Sequence, residues 1–134
     1  MKRQIVIVLV VLTLALSACG GTVEPSTNIK VTFTDFAFTP NSWLVPAGQE
    51  IALEISNEGA VLHEIVIMKL GANIGDDFGD EDKDNIYWRS ELGAGETATF
   101  SFAAPDEAGE YQVVCGLAGH FVAGMVGSLT VVAP

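Results

Sequence analysis

The chain has 134 residues, 49% of them hydrophobic, and sets 17 acidic side chains against 6 basic ones for a formal net charge of −11. That length suits one domain. That charge argues against binding nucleic acid and against docking on anionic lipid headgroups.

The first residues do not read as part of the domain. Lys2 and Arg3 form a short positive region, and residues 5–16 are apolar apart from Thr13. A run of 12 residues is too short to span a bilayer and fits the apolar region of a signal peptide. Leu16-Ser17-Ala18-Cys19 follows and resembles the lipobox of bacterial lipoproteins. The expected division is therefore a signal peptide over 1–18, a lipidated tether over 19–27 and a folded domain over 28–134. Lipidation of Cys19 leaves Cys115 without a disulfide partner. Rival readings are an ordinary signal peptide, an uncleaved anchor, or a Cys19–Cys115 bridge, which would tie a tail to the core for little gain. Without Lys2 and Arg3, 4 basic residues face the 17 acidic ones, a formal charge of −13. Such a charge favours an electropositive protein partner or serves solubility alone.

Beyond a short polar linker, period-2 patterns dominate and no helical stripe of three turns appears. Ile29, Val31 and Phe33 alternate with Lys30, Thr32 and Thr34, and residues 36–38 continue the pattern as far as Pro40. Residues 42–45 lead to the turn Pro46-Ala47-Gly48. Ile51, Leu53 and Ile55 alternate with Ala52, Glu54 and Ser56, giving a strand with one wet face. A turn at 57–59 precedes a near-continuous apolar strand over 62–68. After a long polar segment, 71–90, residues 97–102 alternate again. Residues 111–115 then run as a strand into a glycine-containing loop, and 127–132 leave it. Seven or eight short strands at turn-marked intervals predict an all-β, antiparallel Greek-key β-sandwich.

Within the polar segment, Asp76, Asp77, Asp80, Glu81, Asp82 and Asp84 crowd nine positions with only Lys83 opposing there. Three readings stay open: a solvated loop, a docking site for a basic partner, and a calcium loop. For the last, Asp80, Asp82, Asp84 and Glu91 stand at positions 1, 3, 5 and 12 of an EF-hand-like spacing, but Asn85 replaces the required glycine. Tyr87 and Trp88 are expected to pack this insert on the sandwich.

The loop carries the chemistry. Cys115, His120 and Met125 are separated by four residues each, and His63 lies upstream in its own apolar run. Singly, each has a bland reading: a core histidine, an inert buried thiol, a flexible core filler. Jointly they form the His2Cys set with a weak axial methionine that builds blue-copper electron-transfer sites. The thiolate of Cys115 supplies a covalent donor, the imidazoles suit both copper oxidation states, and the Met125 thioether favours Cu(I). Gly116, Gly119 and Gly124 let the backbone turn between ligands. The uncharged Leu117, Ala118, Phe121, Val122 and Ala123 suggest an apolar collar around His120, a docking face on an acidic protein.

At these residues the chain resembles a cupredoxin of the plastocyanin/azurin type. Phe36-Ala-Phe-Thr-Pro40, Val45-Pro-Ala-Gly48, Asn57 through His63, Tyr111 through Cys115, and Gly124-Met-Val-Gly127 fall in the family's order. The similarity covers roughly residues 28–133. It implies a one-electron carrier with His63, Cys115 and His120 as equatorial copper ligands through sulfur and both Nδ1 atoms, and Met125 as the axial one. The two four-residue gaps resemble rusticyanin- and sulfocyanin-like members. Many relatives have Asn after the first histidine, where this chain has Glu64. Relatives with this gap often have Pro where Ala118 stands. An ionised Glu64 near the metal would stabilise Cu(II) and lower the potential.

The expected protein is thus a monomer, lipid-anchored on the outer face of a bacterial cell membrane. It would carry one type 1 copper and pass electrons between membrane-associated redox partners such as a basic cytochrome or oxidase. It is not expected to be an enzyme, since two histidines cannot also build a type 2 or trinuclear copper site. The rivals are a periplasmic copper-binding or delivery protein of the same fold, and a metal-free Ig-like domain.

Overall fold

The computed structural model describes residues 23–134. The signal-peptide reading and Cys19 lie outside them. Nine strands run in chain order: β1 (Asn28–Thr34), β2 (Ala37–Thr39), β3 (Ser42–Pro46), β4 (Glu50–Asn57), β5 (His63–Met68), β6 (Ile86–Leu92), β7 (Thr97–Ala103), β8 (Gly109–Val114) and β9 (Val126–Val132). They form two sheets, β2-β1-β4-β7 and β3-β9-β8-β5-β6.

The sandwich expected from the alternating patterns is present. The odd positions of β1 and β4 face inward, so that Ile29, Val31, Phe33, Ile51, Leu53 and Ile55 meet Ile65, Ile67, Val113, Leu129 and Val131 of the other sheet in one core. The polar alternates, such as Lys30 and Glu54, pair on the outside at 3.0 Å.

Three details differ from the sequence reading. Both sheets are mixed, because β1 runs parallel to β4 and β3 parallel to β9. Period-2 burial reports which face is wet but not which neighbour a strand takes. Next, residues 35–36 form a turn rather than continuing β1, and β2 folds back antiparallel on it. Last, the end of the polar segment is strand β6, whose inward positions Trp88 and Leu92 alternate with Arg89 and Glu91. Trp88 stacks on Phe102 at 4.9 Å, closing the open edge between the sheets.

The acidic insert runs from β5 to β6 and includes a short 3-10 helix (Asp80–Asn85). Its Ile74 and Phe78 join Val66, Met68, Val114 and Phe121 in a second apolar cluster on the outer side of the five-stranded sheet. Ile74 N–H also donates to Gln112 Oε1 of β8 at 2.6 Å. The neighbouring Tyr111 hydroxyl donates to the carbonyl of Glu107 at 2.7 Å, a tyrosine corner of the kind sandwich folds use. Strand β8 is thereby held by two adjacent side chains, Tyr111 and Gln112, and Cys115 is the next residue after it.

Candidate metal centre

Three segments meet at one end of the sandwich. The first is the start of β5, where the turn at 57–62 delivers His63. Asn57 shapes that turn. Its buried amide donates to the carbonyls of Val61 and Leu92 at 2.9 Å each, and its Oδ1 accepts from Gly59 N–H at 2.9 Å. The second is the end of β8, where Cys115 follows the buried pair Val113 and Val114. The third is the loop 116–125, a series of tight turns. His120 N–H donates to Leu117 O at 3.1 Å, Ala123 N–H to Gly119 O at 3.1 Å and Met125 N–H to His120 O at 3.0 Å. Gly119 and Gly124 take φ of 80° and 100°, a backbone region that favours glycine.

These segments bring the sequence-predicted side chains together. His63 Nδ1 lies 3.2 Å from His120 Nδ1, and Cys115 Sγ lies 3.4 Å from His120 Nδ1. One ligand atom from each of the three residues falls within 4.8 Å of the others. At typical metal bond lengths of about 2.0 Å to nitrogen and 2.3 Å to sulfur, donors so spaced fit a single ion. Among the described residues no other group of three such side chains converges. His63 and Cys115 are fully buried and His120 is partly exposed, so the centre has one edge toward solvent. Met125 is also fully buried, and its backbone joins the other two loop positions: its carbonyl accepts from Cys115 N–H at 3.1 Å.

The surroundings set the state of each donor. Burial pushes the Cys115 thiol up, opposed by the amide of Glu64, which points at the sulfur from 3.4 Å. Burial and the neighbouring His63 hold the His120 imidazole below its usual value, which keeps it neutral and able to donate a lone pair. Glu64 lies against this group. Its side chain is 12% exposed and stands 3.6 Å from Arg89, and burial raises its carboxyl, with Arg89 opposing.

Sequence reasoning missed one group. Asp35, in the turn between β1 and β2, places Oδ1 2.7 Å from His63 Nε2. The Ala60 amide, then His63, holds this carboxyl below the usual range. No periodicity or motif pointed to it, because the turn joins the site only through the fold.

The solvent edge is apolar. Phe36 meets the His120 ring edge-on with centroids 4.9 Å apart. Phe36, Val61, Leu62 and Val122 are all exposed large hydrophobics, and they come from the turns that carry the site. The EF-hand-like spacing does not form a calcium loop. Asp82 accepts Gly79 N–H at 2.9 Å as a helix cap, Asp80 pairs with Lys83, and Glu91 lies in β6 opposite Glu64.

Comparison with known proteins agrees with this architecture. Auracyanin-B of Chloroflexus aurantiacus is 26% identical over 141 aligned positions, covering 89% of this chain. The match spans 60% of that relative's length. The structure of reduced auracyanin from Roseiflexus castenholzii superposes with a TM-score of 0.68 at 30% identity, covering 81% of this chain and 99% of that one. Auracyanin A of Chloroflexus aurantiacus, described as a "blue" copper protein, gives a TM-score of 0.63 at 31% identity over 81% of this chain and all of its own. The description "Cupredoxin-like domain" matches residues 5–131, and the chain belongs to that family.

Proposed function

We propose that the chain holds one type 1 copper through His63, Cys115, His120 and Met125 and carries single electrons between larger redox proteins. The observation that carries this reading is the convergence of the two Nδ1 atoms with Cys115 Sγ at 3.2 and 3.4 Å. The donor chemistry fits copper: a thiolate, two imidazoles and a thioether suit both of its oxidation states. When bound, copper supplies a one-electron couple.

The protein's own part is to keep the donors still. His63 and Cys115 are anchored at strand ends, and His120 and Met125 are tied to each other by backbone hydrogen bonding. Ligands fixed in this way move little when the charge changes, so little reorganisation opposes transfer. The apolar rim of Phe36, Val61, Leu62 and Val122 keeps water from the buried donors and gives a partner a dry surface beside His120. The acidic charge favours a partner with basic groups, and electron transfer should then slow as salt is added.

The reading extends to location. Residues 1–18 act as a lipoprotein signal peptide and Cys19 takes the lipid, with 19–27 as tether and 28–134 as the copper domain. The supporting feature is Leu-Ser-Ala-Cys directly after the apolar run. The domain then sits as a monomer on the outer face of a cell membrane, as a carrier rather than an enzyme. Substituting Cys19→Ser should move the protein from the membrane fraction to the soluble one.

A visible spectrum decides the central point. The copper-loaded protein should be intensely blue when oxidised and should bleach reversibly on reduction. A colourless Cu(I) form that hands its metal to an acceptor would instead identify a copper-delivery protein.

A further inference from the structure

We propose that Asp35 is the positioning residue for His63 and that its negative charge lowers the reduction potential of the centre. The inference rests on the copper reading above. Asp35 belongs to none of the three segments that supply ligands, yet its carboxylate ties down the one that ends in His63. Oδ1 lies 2.7 Å from His63 Nε2, and Oδ1 and Oδ2 accept Ala60 N–H at 3.2 and 3.0 Å. One carboxylate therefore grips both the imidazole and the backbone three residues before it.

The local sequence makes room for this contact. Gly59 lies against it, and a Cβ there would come within 2.7 Å of His63 Nε2 while also colliding with Asp35 Oδ1. Asn57 Oδ1 holds the Gly59 amide at 2.9 Å and so keeps the bare backbone in place. On the other side, Phe33 meets the His63 ring edge-on at 6.3 Å. The residue after Asp35 is Phe36, whose ring meets His120. The β1–β2 turn thus places adjacent residues on the two imidazoles, one polar and one apolar.

The chemistry follows from the geometry. A carboxylate at Nε2 makes that nitrogen the hydrogen-bond donor, which leaves the Nδ1 lone pair aimed at His120 and Cys115. The hydrogen bond is charge-assisted, and it makes the imidazole a stronger donor. A stronger donor with a negative charge behind it favours Cu(II), the more positive ion, over Cu(I).

The test uses the copper-loaded full chain carrying Asp35→Asn, which removes the charge and keeps an acceptor, and Asp35→Ala, which removes both. Glu54→Gln is the control. It deletes the same unit charge on the solvent face of β4, where Glu54 pairs with Lys30. Two quantities are measured: the midpoint potential, and solvent exchange of the His63 Nε2 hydrogen by nitrogen-15 NMR on the Cu(I) form. Both Asp35 variants should raise the midpoint above that of Glu54→Gln. A tenfold fall in Cu(II) affinity relative to Cu(I), at the low end for losing such a partner, corresponds to a rise of about 59 mV for one electron. Asp35→Ala should also speed Nε2 hydrogen exchange at least tenfold. If either quantity in Asp35→Ala matches the control, the inference is overturned. An unmutated protein that takes up no copper overturns the metal reading as well, whereas a blue protein indifferent to Asp35→Ala overturns this inference alone.

Discussion

The carboxylate of Asp77, in the acidic insert, accepts the backbone N–H of Gly119, in the ligand loop, at 2.8 Å. The insert is therefore more than a solvated excursion. Its Ile74 and Phe78 pack with Phe121 of the same loop, so a polar and an apolar contact brace the residues on either side of His120. Asp77→Ala removes the polar one. It also removes the acceptor of Phe78 N–H at 3.0 Å, and the expected loss is about 0.5–1.5 kcal/mol for each hydrogen bond. Gly119 amide exchange should rise more than that of amides in β4, which lie far from the insert in the sheet order. Uniform acceleration across both would show that Asp77 supports the whole fold rather than the loop.

Glu64 of β5 and Arg89 of β6 meet diagonally at 3.6 Å, beside the Cys115 sulfur that the Glu64 amide addresses. An ionised Glu64 favours Cu(II), and Arg89 partly offsets it. The two substitutions should therefore act in opposite directions: Glu64→Gln raises the midpoint potential and Arg89→Leu lowers it. Each change should stay below about 59 mV, a tenfold preference between oxidation states, because Arg89 is half exposed and its field is screened by solvent. Shifts of the same sign would mean that the substitutions act by rearranging the loop.

The sandwich and the four side chains were legible because each leaves a local signal. Alternation in β1, β4 and β7 marks the buried face, and the Cys-His-Met spacing sits on one uninterrupted loop. What escaped the sequence arises only in three dimensions. The parallel partnership of β1 with β4 depends on how the chain crosses between sheets. Strand β6 was hidden because its outward residues include the charged Arg89 and Glu91 and it follows directly on Asp80–Asn85. Asp35 reaches His63 across a sequence separation of 28, and nothing in residues 34–37 announces it. Expectations drawn from family resemblance pointed to Glu64 as the departure of interest. The structure adds a second carboxylate, this one bonded to a ligand ring.

Phe33 and Phe36 lie three residues apart and should behave as opposites. Phe33 is fully buried between Phe38, at 5.2 Å, and His63. Phe33→Ala should cost about 3–5 kcal/mol by loss of transfer energy and opening of a cavity. Its denaturant midpoint should fall with little change in slope. Phe36 is 44% exposed, so Phe36→Ala should leave stability within roughly 1 kcal/mol. Its effect should appear instead in the rate of electron exchange with a partner, because it uncovers one side of His120. A large loss of stability in Phe36→Ala would show that the rim is structural.

Met125 offers the sharpest test of the ligand set, since the other three donors are held by geometry that the thioether does not control. It is fully buried, and Met→Leu exchanges nearly conserve volume, so Met125→Leu should fold with a cost below about 1.5 kcal/mol. Without an axial donor, Cu(I) with three strong ligands is favoured and the midpoint should rise. Met125→Gln places a harder oxygen at the same position, which favours Cu(II), and the midpoint should fall. The blue colour should survive in both, because it depends on the Cys115 thiolate. If the two substitutions left the potential unchanged while Cys115→Ser abolished the colour, Met125 would be core filling and the centre would have three protein ligands.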